Sequence, residues 1–152
     1  MYIIEREQIS TLVSDWKETL VKLPLEMISQ NRNNQNRTIK QILGHLIDSA
    51  VNNHHRIVRL QYNNDLNFPD YRQDNDRWIE IQDYQNENWQ DLLSFWKLYN
   101  NHMVHIIGSI KEEHIQNTWT DFEGIVETLD SIVKGYLWHL KLHFGEIKEL
   151  MY

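Results

Sequence analysis

LDSIVKGYLWHLKLHFGEIKEL, residues 129–150, decides the fold. Setting His139 at zero and turning about 100° per residue puts Lys134, Lys141 and Lys148 together at about 200°. That side must face water. Ile132, Val133, Tyr136, Leu140, Phe144 and Ile147 fall on the opposite half, so the segment reads as one amphipathic helix. Thr128 or Asp130 is placed to cap its start. His139 and His143 lie on the apolar half with the core residues, away from the lysines.

The same period recurs along the chain. Ile9, Leu12, Val13, Trp16 and Leu20 mark a first helix over about 5–22, stopped by Pro24. The polar stretch QNRNNQNRT follows as a loop, and Thr38 caps a second helix over about 39–62 that carries Ile42, Leu43, Leu46, Ala50, Ile57 and Leu60. Pro69 and its Asn and Asp neighbours break the pattern, and a short helical piece is expected over about 76–85. Trp89, Leu92, Leu93, Trp96, Met103, Ile107 and Ile110 give a third long helix over about 88–113. A connection through Gly124 leads to the last helix. Only two prolines and five glycines interrupt the chain, and no useful run alternates with period two. The expectation is an all-α four-helix bundle forming a single domain over residues 1–152. Connections of roughly 12 to 15 residues are long for a minimal bundle, and such loops usually carry function or cover something.

Composition excludes several classes. The chain has no cysteine, which removes disulfides, thiolate metal sites and a cysteine nucleophile, and fits a reducing cytoplasm. A formal net charge of −7 with scattered basic residues disfavours nucleic acid, which requires a basic patch. No apolar stretch approaches the roughly 18 residues of a membrane span. The N-terminal MYIIEREQIS lacks the basic and apolar regions of a signal peptide. A soluble cytoplasmic protein is expected.

Eight histidines remain to be sorted by helix face. Residues four apart have Cβ atoms about 5–6 Å from one another, so His139 and His143 can converge on one ion. Metalloprotease HExxH helices use this spacing, but Leu140 stands at the glutamate position and no general base lies inside the pair. On the second helix His45 sits between the apolar face and a polar stripe of Asp48, Ser49, Asn52, Arg56 and Arg59. A solvated helix face would give the same stripe. His102 and His105 fall on the outer side of the third helix and are expected at the surface. His54 lies on the apolar side and is expected as a buried structural histidine, His55 carries no clear core signal, and His114 ends the third helix. The tryptophans at 78, 89, 96, 119 and 138 are expected in the core.

ILGHLIDSAVNNHHRIVRLQ (42–61), followed far downstream by YLWHLKLHFGEI (136–147), resembles the DinB-like (YfiT-like) metalloenzyme superfamily. The resemblance spans essentially the whole chain, including NFPDYRQDNDRWI (67–79) and the tryptophan-rich third helix. It implies a four-helix bundle in which one histidine of the second helix and an HxxxH pair of the last bind a divalent metal. Position by position, His45 corresponds to the first ligand and His139 and His143 to the pair. The family name reflects DNA-damage induction of one member and implies no contact with DNA. Better understood relatives act on low-molecular-weight thiols, as S-transferases or a thiol-dependent isomerase, and others are metal-dependent hydrolases. No motif in this chain selects between these chemistries.

Three imidazoles form a neutral ligand set suited to zinc or nickel rather than to magnesium or calcium. Three protein ligands leave a position open, as in catalytic zinc sites. Around them, Asp48 is placed to orient an imidazole, or to be a plain surface carboxylate. Asn52 and Arg56 line the same side and would meet an anionic small-molecule substrate, and Glu146 would act as base, extra ligand or solvated glutamate. A non-catalytic bundle that binds a partner is the competing function, and large aromatic helix faces allow a homodimer under either.

Overall fold

A computed structural model describes residues 1–66 and 72–152 of the chain. The helix break assigned to Pro69 and the NFPDY part of the family resemblance lie outside the described residues. The described residues form six α-helices and one small hairpin: α1 (Ile3–Leu20), α2 (Leu25–Gln30), α3 (Ile39–Leu60), α4 (Asn75–Gln82), α5 (Trp89–Gly108), β1 (Thr118–Thr120), β2 (Val126–Thr128) and α6 (Leu129–Glu149).

Two of the long helices, α3 and α6, start where side-chain caps are expected, and α1 has none. Thr38 accepts from the Gln41 backbone N–H while the Gln41 side chain accepts from the Thr38 N–H, and Thr128 and Ser131 make the same reciprocal pair at the head of α6. Each box satisfies two N–H groups that the first helical turn otherwise leaves open. Asn88 caps α5 and Asp74 caps α4. Three details differ from the periodicity reading. Pro24 ends α1 but also opens a single further helical stretch, α2. The third long helix stops at Gly108 rather than near 113, with the Arg6 side chain lying across its end and donating to the Val104 carbonyl at 3.2 Å. His114 therefore sits in a separate 3-10 turn, Glu112–His114. The connection through Gly124 is an antiparallel hairpin pairing Thr118 with Thr128 and Thr120 with Val126. Leu66 adds a bridge to its outer edge, donating to the Thr118 carbonyl and accepting from the Thr120 N–H. Three-residue strands are too short to show a period in sequence.

Helix packing gives the ring order α1–α5–α3–α6, each helix touching the next and α6 returning to α1. The first and second long helices are thus diagonal, as are the third and fourth. Diagonal helices need a connection that crosses the end of the bundle. The segment containing α2 and the one containing the hairpin are those crossings. The order makes α3 and α6 neighbours, which places the histidines of both on one seam. The interior is filled by Trp96, Tyr136 and Phe144, with Trp16 stacked on Phe144 at 4.6 Å and Trp96 edge-on to it at 5.5 Å. The one hydroxyl this buries is satisfied: Tyr136 donates to Asn100 Oδ1 at 2.6 Å, and Asn100 Nδ2 donates to the Trp96 carbonyl.

Candidate metal centre

The α3–α6 seam brings His45, His139 and His143 together. One ring nitrogen from each lies within 4.8 Å of the other two, and no other group of three such side chains is found among the described residues. Ring centroids are 5.3 Å apart for His45 and His139, 4.8 Å for His45 and His143, and 4.4 Å for the α6 pair. His45 and His143 are buried and His139 is half-buried.

Each α6 imidazole is held from behind. His143 Nδ1 lies 2.9 Å from Glu146 Oε2, and a carboxylate only accepts, so His143 carries a proton on Nδ1, and the neutral ring in that tautomer presents a bare Nε2. Asn33 Nδ2 donates to the same carboxylate oxygen at 3.3 Å and fixes it. His139 Nδ1 lies 3.2 Å from Ser49 Oγ. A serine hydroxyl donates or accepts as it rotates, so His139 can take either tautomer. With the proton on Nδ1, its Nε2 is bare too, and the two Nε2 atoms face each other at 3.0 Å. Two nitrogens on one tetrahedral zinc are separated by about 3.3 Å. Two lone pairs at that distance repel unless a proton or a cation lies between them.

Electrostatics favour the metal-ready state. Burial, then the facing His143 and His139 and the more distant Arg37, lower the His45 pKa to about 3. Burial and then His143 lower that of His139 to about 4. Both rings are therefore neutral at pH 7, with no proton to displace before a cation enters. His45 Nδ1 is buried and has no hydrogen-bond partner among the described residues. Three imidazoles whose ring nitrogens converge fit a divalent transition metal, and an all-nitrogen neutral donor set suits zinc or nickel better than oxygen-seeking ions.

The centre opens onto a cavity of about 550 Å³ between α3, α6 and the hairpin, reached by His45 and His139. Its walls include Asn52, Arg56, Arg72, Trp119, Phe122 and Trp138. Arg56 lies over the Trp119 ring at 4.1 Å and Arg72 over Phe122 at 5.9 Å. Two tryptophans assigned to the core thus border this space, with Trp119 buried and Trp138 64% exposed at its mouth; Trp78 is half-buried elsewhere. The hairpin supplies Trp119 and Phe122, which helical periodicity did not single out.

The flanking residues sort differently from expectation. Asn52 and Arg56 line the cavity, and Asn52 donates to Gln73 across it. Asp48 does not orient an imidazole. Its Oδ1 accepts from Tyr84 at 2.7 Å and Gln82 at 2.8 Å on the α4 side of the helix. Three residues of helix turn it about 60° away from His45. Ser49, four residues on, is the α3 residue that meets an α6 imidazole. Glu146 stands behind His143 as its hydrogen-bond acceptor and is not among the described residues that line the cavity. Asn33 carried no sequence signal, because an asparagine in a polar loop looks like any other. His54 is half-buried rather than core, with Nδ1 2.8 Å from Tyr99 Oη, and His102 and His105 are exposed as expected.

Fold and centre together define a four-helix bundle with three imidazoles converging from two neighbouring helices. The family model of the DinB superfamily matches residues 8–147, and the chain belongs to that superfamily. Among solved structures it is similar to YfiT from Bacillus subtilis, described as a probable metal-dependent hydrolase with an unusual four-helix bundle topology. The two share 16% identity with a TM-score of 0.86, over 96% of this chain and 83% of that one. No curated protein matches this chain. Among the described residues no helix is long and apolar enough to cross a membrane.

Proposed function

We propose that this chain is a divalent-metal-dependent enzyme, zinc or nickel being the ion, that joins a low-molecular-weight thiol to a small-molecule electrophile. The observation that carries the reading is the pair of Nε2 atoms facing at 3.0 Å beside a cavity large enough for a metabolite. A three-imidazole metal site leaves a coordination position open and lowers the pKa of a thiol or water placed there. The chain's own residues do the rest. Glu146 and Ser49 hold the two α6 rings in place, and Asn52 and the Trp119-backed Arg56 guanidinium offer polar contacts to an anionic group of the substrate.

Thiol chemistry is preferred because the two carboxylates that line the cavity among the described residues, Asp121 and Glu127, each have an oxygen already engaged. Asp121 Oδ1 accepts two backbone N–H groups in its own turn, and Glu127 is engaged by Ser131. A free thiol ionises with a pKa of about 8.5 and needs far less help than water. Hydrolysis is the second reading, supported by the structural likeness to YfiT.

Metal content of untagged protein tests the first step. Should no metal co-purify and none bind at micromolar concentration, the enzyme reading falls. His139→Ala should abolish binding and His102→Ala should leave it intact; equal losses would refute the site. Assays with a panel of low-molecular-weight thiols and electrophiles then separate the reactions. Turnover that needs no thiol would overturn transfer in favour of hydrolysis.

A further inference from the structure

A second cleft lies on the α4 side of α3, with a volume of about 370 Å³ and no histidine in its walls. At its floor is the Asp48 carboxylate, 2% exposed. Its Oδ1 receives the Tyr84 hydroxyl and the Gln82 amide, and Oδ2 is buried with no hydrogen-bond partner among the described residues. Among the described residues no lysine or arginine lines this cleft. Trp78, Tyr84 and Phe95 form aromatic walls, and a second carboxylate, Glu87, stands at the side. Phe95 is 48% exposed, so one wall is open to entering molecules.

Each feature is costly without an occupant. A carboxylate taken out of water is expensive, burial raises the Asp48 pKa, and among the described residues Asp48 has donors on one oxygen only, so a cation at the other would relieve the cost. Aromatic faces carry negative quadrupole potential and attract cations within about 6 Å. Three aromatic rings around two acids repel anions and give neutral molecules no electrostatic gain. Burial and the neighbouring Asp48 and Glu87 carboxylates raise the Tyr84 pKa well above its ordinary range, which keeps it a hydrogen-bond donor to Asp48.

We propose that the cleft between α3, α4 and α5 is a binding site for a small organic cation, a protonated or methylated amine seated against Trp78, Tyr84 and Phe95 with its charge toward Asp48. The site is separate from the histidine centre and does not depend on metal. It would let an amine-bearing metabolite act on the face of α3 opposite the cavity.

Choline and n-propylammonium serve as probes, with 3,3-dimethylbutan-1-ol as the uncharged isostere of choline, in calorimetry and ligand-observed NMR on the full chain. Saturable binding of at least one cation and none of the alcohol is expected, and the preferred probe distinguishes methylated from protonated amines. Asp48→Asn, which keeps the shape and the acceptor for Tyr84, should weaken that binding by at least about tenfold. Phe95→Ala, at an exposed position that the fold does not need, should weaken it by about three- to tenfold. His139→Ala should leave it unchanged, so failure of the metal reading is distinguishable from failure here. Equal binding of the alcohol, no saturable cation binding up to roughly 10 mM, or an unaltered affinity in Asp48→Asn would overturn the site.

Discussion

Gly44, one residue before His45, is where backbone and side-chain packing meet most tightly. A Cβ built on it would lie 2.1 Å from Tyr84 Cδ2, 2.3 Å from Cγ and 2.6 Å from Cε2. The contact is with the root of a buried ring, 4% exposed, and not with the tip of a flexible chain. Gly44→Ala must therefore push Tyr84 out of its seat. The overpacking costs about 1–3 kcal/mol. Moving the ring also breaks the 2.7 Å bond from its hydroxyl to Asp48, worth about 1.5–3 kcal/mol for a charged acceptor. Against this, alanine in a helix interior gains about 1 kcal/mol over glycine. The net is a loss of about 3 kcal/mol, or roughly 6–12 °C in Tm for a chain of this size. Urea titration and thermal melts followed by circular dichroism read it directly. The sign should reverse in a Tyr84→Ala background, where the ring is gone and only the helix propensity remains, giving a gain of about 1 kcal/mol. A Gly44→Ala protein as stable as the parent, or an equal loss in both backgrounds, would refute the close-packing argument.

The remaining predictions concern the centre and the helix that carries it. Glu146→Ala should lower metal affinity by about 10–100-fold, measured by competition with a chromogenic chelator, because it frees the His143 ring; an unchanged affinity would remove Glu146 from the centre. The pH dependence follows from His45 and His139, whose folded pKa values of about 3 and 4 lie below the ordinary 6.5. The unfolded chain then binds more protons than the folded one, so stability present above pH 6.5 is lost as pH falls toward those values. Burial raises the pKa of Asp48, which works in the opposite direction, and the His45 variant isolates the imidazole contribution. With EDTA present, the urea midpoint should drop from pH 7 to pH 4.5, and His45→Gln should shrink that drop; an equal drop in the variant would contradict the assignment. Thr128→Ala should cost about 1 kcal/mol by removing the α6 capping box, and Thr128→Ser should restore most of it in the same titration.

Much of the architecture was legible because helices are local. Periodicity placed the four long helices, Thr38 announced one start by residue type alone, and the start of the last was narrowed to Thr128 or Asp130, of which the structure uses Thr128. The facing of His139 and His143 was equally local, since four residues on one helix fix their separation whatever surrounds them. The smaller pieces were not. α2 is held by the cap of the bundle more than by its own six residues, and the hairpin exists through pairing between segments and with Leu66. Asp48 and Ser49 are adjacent, and only the positions of α4 and α6 around α3 show that one turns to Tyr84 and the other to His139.

Residue order is enough to specify an acidic, cysteine-free helical bundle with an imidazole pair on its last helix and a third histidine on its second. Tertiary structure alone decided that these two helices are neighbours. In a plain up-and-down order they would stand on the diagonal; here the two long connections cross the bundle ends and exchange the positions. Periodicity records which face of a helix is buried, and carries no information about which other helix covers it.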